Sequence, residues 1–150
     1  MAVVLTGNDI IIINDRILAD FADGEVARLS FPNNLSSLKN GRAGNALFAF
    51  NEEGKQCELT LRLLKGSADD RFLNGLLSDM LQQGVAFKLL NGKLVKKLGD
   101  GYGHIQEEQY LLTNGAFKRG VDNQSNATGA VEQAIAVYQL HFSAAPRLIA

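Results

Sequence analysis

The chain has a single cysteine, two histidines, two prolines and no tryptophan in 150 residues, and each scarcity removes a class of mechanism. With no second thiol, Cys57 has no intramolecular disulfide partner, and synthesis in a reducing cytoplasm is expected. Cys57 shares an alternating phase with Leu59, Leu61 and Leu63, which reads as a small buried hydrophobe, and Glu58 beside it disfavours a reactive thiolate. His104 and His141 have no partner at metal-ligand spacing. Apolar runs such as Ile10–Ile13 stop after a few residues, so no segment is expected to span a membrane. The first residues lack the basic start and long apolar stretch of a signal peptide. The net charge is −1, with acids and bases interspersed, which speaks against a general nucleic-acid binder.

What is present is an ordinary globular balance, 46% apolar and 21% charged, in a length that suits one domain over residues 1–150. One segment reads as helix, about 67–82. Ser67 can cap its first turn, Asp70 three residues later makes a capping-box-like pair, and Asp69 and Asp70 suit the positive end of the helix dipole. Phe72, Leu73, Leu76, Leu77, Met80 and Leu81 recur at helical spacing, and Gly84 supplies the stop. That stripe needs a surface to bury against, and the rest of the chain offers only strands. The expected fold is mainly β (β+α), an antiparallel β-barrel or sandwich with one flanking helix.

The strand segments are 3–6, 10–14, 17–20, 25–31 with Pro32 as its stop, and 131–142 with Ala134, Ala136, Tyr138, Leu140 and Phe142 in one phase. Gly7-Asn8, Asn14-Asp15 and Asp23-Gly24 mark turns, and a polar stretch at 122–129 precedes the last strand. Three hairpins are expected. One pairs 46–51 with 56–64 around Glu53-Gly54; the others pair 85–90 with 93–98 around Asn91-Gly92, and 108–113 with 116–119 around Asn114-Gly115.

A long loop at about 33–45, NNLSSLKNGRAGN, is the most unusual stretch. Leu35 and Leu38 give it something to bury, Lys39 and Arg42 give it charge, and its length belongs to functional or disordered loops. Apolar side chains on such a loop suit an arm that orders against a partner. Tyr102 in the glycine-rich turn 99–104 and His141, out of phase with the apolar face of its strand, are further contact candidates.

Catalytic constellations do not emerge. GDGYGH at 99–104 is not followed by a helix, which a phosphate loop requires, and a hairpin end suits it better. Asp20, Asp23 and Glu25 lack the regular spacing of a calcium loop, and the adjacent pairs Glu52-Glu53 and Glu107-Glu108 face apart. No serine lies in a nucleophile elbow. The expectation is a protein that is not an enzyme and needs no cofactor.

The blocks DFADGEVARLSFPNN (20–34), FAFNEEGKQCELTLRLLKGSADDRFLN (48–74) and VEQAIAVYQLHFSAAPR (131–147) together carry a likeness to one family. The chain resembles a tail tube protein of tailed bacteriophages, most like those with contractile tails, over nearly its whole length. The resemblance implies an architecture related to the type VI secretion tube protein, with hexameric rings stacked into a hollow tube. It implies as partners other copies of the chain, tail sheath, tape-measure and baseplate proteins, and DNA passing through the lumen without sequence-specific binding. It places the protein in the virion tail, made in the host cytoplasm. Inter-subunit contact candidates are then Leu35, Leu38, Lys39, Arg42, Tyr102, His141 and Arg147, with the terminal segments 1–7 and 144–150. A type VI secretion-like tube, a tail terminator or hub, and a small-ligand-binding β-barrel stand as alternatives.

Overall fold

The computed structural model describes residues 2–5, 9–21, 26–99, 101–124 and 135–149. Its strands are β1 (Ala2–Leu5), β2 (Ile10–Ile13), β3 (Arg16–Leu18), β4 (Ala27–Ser30), β5 (Ser36–Asn40), β6 (Ala46–Phe50), β7 (Cys57–Leu64), β8 (Leu90–Gly99), β9 (Ile105–Phe117), β10 (Asp122–Gln124), β11 (Ile135–Ala144) and β12 (Arg147–Ile149). Among the described residues there is one α-helix, α1, Ala68–Gln83. The fold is therefore β-rich β+α with antiparallel sheets.

Ten strands form one sheet in the order β1-β4-β7-β11-β9-β8-β2-β3, with β10 on β11 and β12 on β9. The sheet curls back on itself. Just beyond β3, Phe21 bridges to Leu63 and the Leu64 N–H donates to the Asp20 carbonyl at 2.9 Å, so the ring from β7 round to β3 closes by backbone bonding. Closure satisfies strand edges that an open sheet would leave exposed.

Alternation fills the interior. In β7, Cys57, Leu59, Leu61 and Leu63 are fully buried and point one way; in β11, Ala136, Tyr138, Leu140 and Phe142 meet them. Register pairs Leu59 with Leu140 and Cys57 with Phe142. Ile11, Ile13, Leu29, Leu90, Leu94 and Leu112 complete one apolar cluster.

The helix is built as its caps suggest. Ser67 accepts the Asp70 N–H at 3.2 Å, while the Asp70 carboxylate accepts from Gly66 N–H at 2.8 Å, one residue earlier than a capping box would have it. Gly84 ends the helix at φ 57°. Leu73 and Leu77 enter the core, each worth about 2 kcal/mol of burial. Phe72, Leu76 and Met80 pack partly against it. Leu81 does not belong to the packed stripe: it is 74% exposed, at the margin of the helical face. The first turn is tied down on two sides. Asp69 accepts from the Ala19 and Asp20 N–H groups at 2.6 and 2.8 Å and from Arg16 Nε at 3.0 Å, and Tyr138 Oη lies 2.5 Å from Asp70 Oδ1.

All three expected hairpins are corrected. The strand at 46–51 pairs with β5, not with the segment 56–64, which lies between β4 and β11 in the sheet; Glu53-Gly54 belongs to a 3-10 turn, Glu52–Lys55. Asn91-Gly92 lies inside the continuous strand β8, and 85–86 fall in a short 3-10 turn before it. Asn14 and Asn91 hold this point against β2 through Asn14 N–H to Asn91 O at 2.8 Å and Asn91 N–H to Asn14 Oδ1 at 3.0 Å. Asn114-Gly115 likewise lies inside β9, as a bulge: Leu90 pairs with Gly115 but Gly92 with Leu112, so β9 has one residue extra there. Asn114 takes φ 53°, and the bulge moves the buried phase of β9 from Glu108, Tyr110 and Leu112 to Gly115 and Phe117. A side chain at Gly115 would overlap the Phe142 ring. The hairpin that does form joins β8 to β9 through the glycine-rich turn, with Gly99 opposite Ile105. Gly7-Asn8, Asp23-Gly24, Glu25 and residues 125–134, with Ala134, lie outside the described residues.

Candidate assembly surface

The segment 33–45 holds a strand as well as a turn. β5 pairs with β6 over five positions, Ser36↔Phe50 to Asn40↔Ala46, as a separate two-stranded sheet whose residues are all exposed. Leu38 and Phe48 are cross-strand partners, 72% and 65% exposed, and Phe50 shares their face. Leu35 and Leu47 are exposed as well. A two-stranded ribbon with no buried face is marginal in water and leaves its apolar side chains unprotected.

The base of this arm is firm. Asn51 donates its N–H to Leu35 O at 2.7 Å and its Nδ2 to Asn34 O at 2.9 Å. Gly54 packs so tightly under the Asn34–Leu35 backbone that a Cβ there would lie 2.5 Å from the Asn34 carbonyl oxygen. Lys55 Nζ, in the 3-10 turn that follows the arm, lies 5.4 Å from the centre of the Phe50 ring. The structure thus projects Leu35, Leu38, Lys39 and Arg42 together, all exposed, and adds Leu47, Phe48 and Phe50 beside them. Sequence reading missed these three because it placed them in a core hairpin, although the unbroken apolar run ALFAF was the available signal.

The remaining contact candidates lie elsewhere. Tyr102 stands exposed at the end of the β8–β9 hairpin. His141 is exposed on the outer face of β11, opposite Glu58 and Ala116, near the Lys118–Glu58 ion pair. With Gln56 it lines a depression at the foot of the arm. Arg147 is engaged: its Nε donates to Glu108 Oε1 at 2.9 Å, and the Tyr110 hydroxyl donates to the same oxygen. The guanidinium and that hydroxyl hold the Glu108 carboxyl below its ordinary value, although the residue is buried. This ion pair pins β12 to β9.

Among the described residues no group of three or more His, Cys, Asp or Glu side chains could hold a metal ion, and no helix is long and apolar enough to cross a membrane. A cleft of about 630 Å³ opens between the helix, the β2–β3 turn and the start of β8.

No protein-family model and no curated protein matches the sequence. Solved structures do. A chain of the extended sheath–tube complex of PVC, an extracellular contractile injection system, superposes with a TM-score of 0.63 at 11% identity, over 95% of this chain and 88% of that one. The chain shares its fold with parts of contractile injection particles. A chain from the tube-terminating cap of the anti-feeding prophage gives 0.65 at 11% identity, over 98% and 91% of the two chains. One from the six-fold symmetrised baseplate of the same prophage gives 0.59 at 13%, over 96% and 94%.

Proposed function

We propose that this protein is a structural subunit of a phage-like contractile tail, assembling through its β5–β6 arm into hexameric rings that stack as a hollow tube. The observation that carries the reading is the arm itself, an exposed apolar ribbon on a rigid base, attached to a barrel whose fold occurs in tube, cap and baseplate assemblies. Such a ribbon is a liability on a monomer and an asset on a subunit that buries it in a neighbour. A contact between different patches of identical copies is heterologous and closes into a ring when the rotation fits.

In this reading the partners are further copies of the chain, then sheath, tape-measure and baseplate proteins, and the tube is a conduit for DNA. Its localisation is the virion tail. Tyr102, His141 and Arg147 take part in subunit contacts beside the arm, and no catalytic or cofactor chemistry is involved. A second reading, a cap or hub ring that does not stack indefinitely, draws on the likeness to the cap chain, which is as strong as that to the sheath–tube complex.

The test is removal of residues 35–44. The shortened chain is expected to keep its circular dichroism spectrum and thermal unfolding while losing the assemblies that the full chain forms in sedimentation. Undiminished assembly by the shortened chain contradicts the role of the arm.

A further inference from the structure

We infer that Asn40, at the tip of the arm, converts spontaneously to aspartate and isoaspartate in the free subunit, and that assembly protects it; the second half rests on the assembly reading above. Asn-Gly occurs four times in the chain, at 40–41, 74–75, 91–92 and 114–115. All four asparagines are exposed, so access of water does not rank them. The chemistry is shared. The Gly amide nitrogen gives up its proton and attacks Asn Cγ, the side-chain nitrogen leaves as ammonia, and water opens the resulting five-membered succinimide at either carbonyl. Glycine permits this because no side chain stands in the way. The ring closes only where the backbone can turn out of its helical or strand conformation, so local structure selects the pair that reacts.

Three of the pairs are locked. Asn74-Gly75 lies inside α1, where each N–H is bonded four residues back. Asn91-Gly92 lies in β8, with β2 on one side and β9 on the other. Asn91 also bonds Asn14 through its N–H at 3.0 Å and its carbonyl at 2.8 Å, and its Oδ1 accepts the Asn114 N–H at 3.4 Å. Gly115 is buried in β9, between β8 and β11. Freeing any of these requires the helix or the ten-stranded sheet to open.

Asn40-Gly41 is held by far less. Asn40 is the last residue of β5, opposite Ala46, in a ribbon that forms a sheet of its own and has every residue exposed. Gly41 N–H donates to Asn45 O at 2.6 Å, and this is the bond that must open. The end of an isolated ribbon opens locally, without the rest of the domain. Between 33 and 51 the only charged side chains are Lys39 and Arg42. A new carboxylate between them cancels half of the arm's charge, and the isoaspartyl form adds one carbon to the main chain where β5 meets its turn. A subunit that stays free therefore loses its docking arm with time, and one that assembles keeps it.

Peptide mapping by mass spectrometry, on the full chain held in mildly alkaline buffer made with heavy-oxygen water, follows all four sites at once. In the folded chain Asn40 is expected to convert at least about tenfold faster than Asn74, Asn91 and Asn114, a lead that collapses in urea. Equal rates in the folded chain, or a lead for any of the other three, overturn the site whatever the chain assembles into. Sedimented rings or tubes are expected to convert Asn40 at least about tenfold more slowly than free subunits. Equal rates in the two fractions overturn protection and leave the site and the assembly standing. A chain that never assembles overturns the assembly reading, and protection with it, while the ranking of the four sites still decides the modification. Asn40→Gln, whose longer side chain would have to close a six-membered ring, is expected to keep both its amide and its assembly as the parent ages and loses them. Loss of assembly at the same rate in both overturns the link between conversion and docking.

Discussion

Asp69 Oδ2 accepts the backbone N–H of Ala19 at 2.6 Å across fifty residues of sequence. The carboxylate is 2% exposed and also accepts from Asp20 N–H and Arg16 Nε, so it joins the helix start to the seam where the barrel closes. Arg16 in turn lies 5.1 Å over the Phe72 ring. Burial pushes the Asp69 carboxyl up, but the Asp20 and Ala19 amides and the Arg16 guanidinium together outweigh it, and its pKa falls below the ordinary 3.8. A carboxylate with a lowered folded-state pKa contributes stability that is present above its unfolded value and lost as pH falls through the folded one. Glu108 acts in the same direction from an ordinary 4.5. The melting temperature is expected to be level from neutral to about pH 5 and to drop below that, with a shallower drop in Asp69→Asn. Asp69→Ala should cost about 3 kcal/mol, since two amides and a guanidinium lose their partner. Denaturant melts at several pH values check both figures.

The helix face makes a paired prediction. Leu77→Asp puts an unpartnered charge into the core and is expected to cost more than about 4 kcal/mol, enough to unfold a marginal domain. Leu81→Asp, one turn further and exposed, is expected to stay within about 0.5 kcal/mol of the parent. Far-ultraviolet circular dichroism and urea titration separate the two; equal effects would contradict the packing described.

Gly115 lies at the β9 bulge against the buried Phe142 ring. Gly115→Ala is expected to destabilise by about 1–3 kcal/mol through overpacking. A variant as stable as the parent in urea would mean that the ring has room to move.

Cys57 is held in the core, where burial above all pushes its thiol up to about 12, against a lowering by the Phe142 backbone and with a further rise from Glu58. It is expected to resist a thiol reagent such as dithionitrobenzoate at pH 8 in the native protein and to react once urea unfolds the chain. Rapid stoichiometric reaction without denaturant would contradict its place in β7.

Much of this fold is legible residue by residue wherever the signal is local. Ser67, Asp70 and Gly84 bound the helix to within a residue because caps act over three or four positions. The phase of Cys57 to Leu63 is read correctly because alternation needs no knowledge of the partner strand. Pairing is another matter. Asn91-Gly92 and Asn114-Gly115 have the composition of two-residue turns, yet Asn114 uses its left-handed backbone in a bulge, and the Ile12 carbonyl and the Phe142 ring leave no room for a side chain at Gly92 and Gly115. Only the distant residues Asn14 and Phe142 decide between them, and they lie far away in sequence. The arm was visible as an anomaly through Leu35 and Leu38, but half of its apolar surface, Leu47 to Phe50, reads equally well as core. The cleft had no signature, since its lining comes from the helix, β2, the β2–β3 turn and the approach to β8.

The most direct test of the central claim is negative-stain electron microscopy of the purified full-length chain over rising concentration, beside the chain lacking residues 35–44. Rings or hollow tubes of uniform width from the full chain, and none from the shortened one, are the expected result. Particles of single-subunit size from the full chain at every concentration, or tubes from both chains, would contradict it.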